Sequence, residues 1–133
     1  LVNHISNMQY HLVACPPTPP QFALAKVFDM QGEFVKKLVP TFMRRRKAMV
    51  DGLNEIEGFH CHLPEGAFYA FPSFSQGMPS RDMARKLVAS GVICAPGTAF
   101  GEMGENHLRF SYAASEENIS KGLAIVKRVV EGL

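Results

Sequence analysis

Residues 107–113 constrain the fold of this chain more than any other stretch. Leu108, Phe110 and Tyr112 alternate with His107, Arg109 and Ser111. That period of two belongs to a strand with one face in a core and the other turned outward. Residues 58–63 alternate in the same way, with Phe59, Cys61 and Leu63 opposed to His60 and His62. Pro64-Glu65-Gly66 has turn chemistry. Residues 67–71 are apolar on both faces, which predicts a covered strand and, with residues 58–63, a hairpin. Residues 92–95 predict one further short buried strand.

Strands this short need helices to pack on, and the remaining sequence supplies them. Cys15-Pro16-Pro17-Thr18-Pro19-Pro20 is proline-rich and predicts an extended connector, with Pro20 suited to the first position of a helix. Phe22 to Phe28 predict a short apolar helix ended by Gly32. Phe34, Leu38, Phe42, Met49 and Leu53 recur at helical spacing, interrupted by Pro40, which predicts a kink or the true start of that helix. Ser80 suits the cap of a helix with Met83, Ala84, Leu87 and Val88 inward and Gly91 just past its end. Ser115 caps a last helix, with Glu116 and Glu117 near its positive end and Ile119, Leu123, Val126 and Val130 as its stripe. The order predicts an α/β chain of α+β type: a small, mainly antiparallel sheet with helices on one face. Residues 1–20 are assigned to a connector and residues 21–133 to the domain. The outward sheet face, with Arg109 and His107, and the N-terminal apolar stretch are expected to be poorly covered.

Composition narrows the function. A net charge of +2 over 133 residues gives no footprint for nucleic acid. Arg44-Arg45-Arg46-Lys47 is a basic run, but consecutive helical residues point around the cylinder, so a solvated helix face is expected. No apolar run reaches membrane-spanning length, and no secretory leader pattern opens the chain. Cys15, Cys61 and Cys94 are too sparse for a disulfide framework and fit reduced thiols, Cys94 as an inert core thiol. His60 and His62 share a strand face without a third ligand, so no metal site is expected. The chain opens on Leu1 rather than Met, which fits a fragment, a processed chain or a start inside a gene.

Two segments at one separation carry a resemblance. They are Pro64-Glu65-Gly66-Ala67-Phe68-Tyr69, and Pro96-Gly97-Thr98-Ala99-Phe100-Gly101 followed by Gly104-Glu105 and Leu108-Arg109-Phe110-Ser111-Tyr112-Ala113. Together they resemble the C-terminal, small-domain region of class I and II pyridoxal-phosphate aminotransferases of fold type I, the aspartate aminotransferase-like enzymes, over nearly the whole chain. Pro16 to Pro20 depart from the polar segment usual there, and Phe22 from a usual small residue.

The resemblance implies transfer of an amino group from an amino acid to a 2-oxo acid through pyridoxal phosphate. It implies a cytoplasmic homodimer with an upstream large domain. Arg109 would hold the substrate α-carboxylate, since a guanidinium matches a carboxylate with paired planar donors. Gly97, Gly101 and Gly104 would shape the loop that places Arg109, while Phe68 and Tyr69 are expected in the core. The chemistry needs a lysine that forms a Schiff base with the cofactor. Lys26, Lys36, Lys37, Lys47, Lys86, Lys121 and Lys127 all fall on predicted helices or their edges, so no catalytic or cofactor-binding residue is expected in this chain, and the chain alone is expected to be inactive. Two alternatives stay open: another enzyme of the same fold and cofactor, such as a lyase or synthase, and a free-standing module that binds a carboxylate or a protein.

Overall fold

The computed structural model describes residues 1–30 and 32–133. The chain divides into two compact units, Leu1–Leu38 and Val39–Leu133. In the first unit every described residue is exposed. It holds α1 (Val2–Val13) and α2 (Thr18–Asp29). Residues 2–13, expected as connector, are helical. Val2, Ile5, Met8 and Leu12 recur at intervals of three and four, a helical stripe that the intervening Asn and His residues obscured. The proline run is also less extended than expected: Pro19 and Pro20 lie in the first turn of α2. Amides there have no partner within the helix, so proline loses nothing.

α3 (Glu33–Asn54) runs through Pro40. Pro40 therefore does not start the helix; it removes one interior hydrogen bond without ending it. Of the predicted stripe, Met49 and Leu53 are buried, together with Val50, and Phe42 packs against them. Phe34 and Leu38 stay exposed.

The second unit carries β1 (Phe59–His60), β2 (Tyr69–Ala70), β3 (Ser73–Phe74), α4 (Ser80–Ala89), β4 (Ala95–Pro96), β5 (Leu108–Ser111) and α5 (Glu116–Glu131). All pairings are antiparallel. β1 pairs with β3, and β5 lies between β2 and β4. The expected hairpin is thus absent among the described residues: β1 and β2 are neighbours in sequence but pair with different strands. Leu63, expected on the buried face with Phe59 and Cys61, is exposed. Residues 92–94 precede β4 without strand structure, and Ile93 is exposed.

Alternation in β5 is as the sequence predicts. Leu108, Phe110 and Tyr112 are buried in one cluster with Leu53, Met83, Leu87, Ile119 and Val126. Burying one such side chain contributes about 1.5–3 kcal/mol. α3, α4 and α5 all feed this cluster from one side of β5, while Arg109 and Ser111 project from the other. α4 buries Met83, Ala84 and Leu87, but Val88 is half exposed. Ser115 caps α5 as predicted, its Oγ accepting from the Asn118 N–H at 3.2 Å. Among the described residues no helix is long and apolar enough to cross a membrane.

Candidate functional site

Arg109 sits on the central strand, opposite Ala95 of β4. Tyr69 of β2 lies opposite Ser111, on the same outward face. Phe100 closes a short 3-10 turn, Gly97–Phe100. Fold and loop bring both rings to Arg109: its Cζ lies 4.2 Å from the Tyr69 ring centroid and 4.2 Å from that of Phe100. Both separations are well inside cation–π range. The rings continue outward. Phe71 meets Phe100 edge to face at 6.1 Å and stacks on His107 at 5.1 Å. His107 Nδ1 is 2.9 Å from the Glu105 carbonyl oxygen, which only accepts, so Nδ1 carries the hydrogen.

No described residue accepts a hydrogen bond from the Arg109 guanidinium or forms an ion pair with it. Its planar donors therefore have no partner among the described residues, beside ring faces that attract the charge without taking the directed bonds a carboxylate takes. Tyr69, expected in the core, is half-buried beneath Arg109, and Phe68 is exposed. Sequence reasoning missed Tyr69, Phe71 and Phe100 as neighbours of Arg109; only strand register and loop closure identify them.

The loop before β5 is fixed by backbone contacts. Gly97 and Gly104 are buried against each other, leaving no space for a Cβ on either. Gly101 has a φ of 129°, a conformation that favours glycine. The Glu105 carboxylate ties the loop to α4. Its Oε1 accepts from the Ser80 N–H at 2.7 Å, the Ser80 Oγ at 2.9 Å and the Asn106 N–H at 3.1 Å. These bonds, the Ser80 amide first, hold the Glu105 carboxyl below its usual range. Ser80 is therefore not the side-chain cap expected from sequence. It is the first residue of α4, after Pro79, and Glu105 supplies the acceptor that Ser80 was expected to be.

Other sequence signals disperse. Arg44 pairs with Glu116, Arg46 donates to the Pro64 carbonyl, Lys47 pairs with Asp51, and Arg45 lies over Phe42. The basic run thus forms no single patch. The His60 and His62 rings meet at 4.6 Å with Cys61 buried away from them. No group of three or more metal-ligating side chains occurs among the described residues. Burial raises the Cys94 thiol to about 11.

A model of the family "Aminotransferase class I and II" matches residues 1–126. The chain belongs to the class I and II aminotransferases. It is 37% identical over 131 residues to a probable aspartate aminotransferase of Methanocaldococcus jannaschii, covering 98% of this chain and 34% of that protein. It is 43% identical over 122 residues to a putative aminotransferase of Bacillus subtilis, covering 90% and 31%. Among solved structures, it is similar to an aromatic aminotransferase from Pyrococcus horikoshii, with a TM-score of 0.87 at 32% identity over 95% of this chain and 33% of that one. An aspartate aminotransferase from Thermus thermophilus with maleate gives a TM-score of 0.83 at 30% identity, covering 96% and 34%. The chain spans about a third of the length of the relatives it matches.

The aminotransferase family implies pyridoxal phosphate, and the residues present test that. All seven lysines are exposed on α2, α3, α4 or α5. Lys26, Lys47 and Lys121 are paired with acids on their own helices. None stands in the β5 face beside Arg109. The described residues thus contain no setting that fits attachment of the cofactor.

Proposed function

We propose that this chain works as the C-terminal part of a pyridoxal-phosphate aminotransferase that moves an amino group from an amino acid to a 2-oxo acid, and that Arg109 holds the substrate α-carboxylate. The observation that carries the reading is the setting of Arg109: on the central strand, flanked by two rings, with its guanidinium making no hydrogen bond to the described residues. A carboxylate approaching in the plane of the guanidinium meets paired donors. Fixing it there orients the substrate's α-carbon, which is where positioning lowers the barrier.

Cofactor attachment and proton transfer belong, on this reading, to the upstream large domain. The assembly is a cytoplasmic homodimer taking amino acid and 2-oxo acid in turn, and the 133-residue chain alone does not transaminate. The names of the relatives support an aminotransferase over a lyase or synthase.

The test is Arg109→Gln in the complete enzyme. Losing a charge-assisted bond worth about 1.5–3 kcal/mol raises KM for both the amino acid and the 2-oxo acid roughly 10- to 100-fold. The slow reaction of a primary amine without a carboxylate is unchanged. Equal damage to the carboxylate substrates and to the carboxylate-free amine would refute the clamp.

A further inference from the structure

The clamp reading leaves open what holds the guanidinium still. An arginine has four side-chain torsions, and most well-placed arginines are fixed by carboxylate or carbonyl partners, which consume the donors a ligand would need. Arg109 has no such partner among the described residues. Its contacts are the two rings, each 4.2 Å from Cζ.

We propose that Tyr69 and Phe100 are the positioning residues of Arg109, orienting its guanidinium through their ring faces so that its hydrogen-bond donors stay available for a carboxylate. The proposal rests on the reading of Arg109 as the carboxylate-binding group.

The mounting of the two rings supports it. Tyr69 is carried by β2, whose register with β5 is set by backbone pairing, so its ring reaches Arg109 from a rigid mount. Phe100 is carried by the turn that Gly97 and Gly104 close. Phe100 is itself braced by Phe71, which stacks on His107, so one continuous set of rings backs the guanidinium. Arg109 meets the ring of Tyr69 rather than its hydroxyl, with Cζ 4.2 Å from the ring centroid.

The experiment uses the complete enzyme, with steady-state kinetics on whichever of L-aspartate, L-alanine and L-phenylalanine turns over fastest, and maleate as a carboxylate probe of binding. Phe100→Leu and Tyr69→Leu keep side-chain bulk and remove the ring face. Each raises KM and the maleate inhibition constant roughly 2- to 30-fold, the range of a cation–π contact, with a smaller change in kcat. Phe100→Tyr and Tyr69→Phe restore wild-type values. In an Arg109→Gln background, Phe100→Leu adds less than about a twofold loss, because the charge it orients is gone. If Arg109→Gln weakens binding while Phe100→Leu and Tyr69→Leu do not, or if their losses persist in the Arg109→Gln background, the positioning role is overturned and the clamp stands. If Arg109→Gln leaves carboxylate binding unchanged, the clamp and the positioning role fall together.

Discussion

Gly97 and Gly104 meet backbone against backbone at the turn that feeds β5, and a Cβ on either would collide with the carbonyl oxygen of the other. The Gly97 N–H donates to the His107 carbonyl at 2.8 Å, and the His107 N–H donates to the Gly104 carbonyl at 3.2 Å. Close approach, rather than a left-handed φ, makes glycine necessary at these two positions. Arg109 lies two residues beyond His107, so this contact sets where its strand begins.

Gly97→Ala and Gly104→Ala should each destabilise the protein by about 1–3 kcal/mol or more, since packed backbone has little room to yield. Gly122, inside α5 with nothing near its missing Cβ, is the contrast. Gly122→Ala should stabilise by about 0.5–1 kcal/mol. Urea midpoints of the three variants moving in the same direction would refute the distinction.

Glu105 gives a pH prediction. Its folded pKa lies below its ordinary value of 4.5, held there by the Ser80 and Asn106 amides and the Ser80 hydroxyl. A depressed carboxyl contributes stability that is fully present above the ordinary value and is lost as pH falls through the folded one. Glu105→Gln should therefore unfold at lower temperature than wild type at neutral pH, and the gap should close in acid. A gap that stays constant from neutral pH into acid would show that charge is not the cause.

Ser115→Ala removes the acceptor for the Asn118 N–H at the start of α5. A loss of about 1 kcal/mol is expected. Ser115→Asp should recover it, because an acid at a helix N-terminus also meets the positive end of the macrodipole. Chemical denaturation of the two variants side by side checks this.

Thiol chemistry separates the three cysteines. Burial lifts Cys94 to about 11 and raises Cys61 as well, while Cys15 is exposed. At pH 8, iodoacetamide should modify Cys15 first and leave Cys94 and Cys61 protected until the protein is unfolded, because the thiolate is the reacting form. Mass mapping of early alkylation at Cys94 would contradict this.

Parts of the fold were legible because their causes are local. Leu108, Phe110 and Tyr112 go inward because alternate strand residues share a face. Ser115 caps α5 because its hydroxyl reaches an amide three residues on. Met83, Ala84 and Leu87 line one side of α4 because they recur at helical spacing. Elsewhere a nearer explanation masked the local structure. The helix over residues 2–13 lay behind polar interruptions, and Ser80 had the right residue type for a cap but received its acceptor from Glu105, distant in sequence.

By itself the sequence determined the element types around β5, the capped last helix, the arginine within its motif and the aminotransferase resemblance. These depend on residue chemistry and on spacings of two to four positions. Only the tertiary structure decided that β1 pairs with β3 rather than β2, that Gly97 and Gly104 touch, and that Tyr69 and Phe100 flank Arg109. Those relationships join residues far apart in the chain, and their energies arise only when the backbone has closed the loops between them.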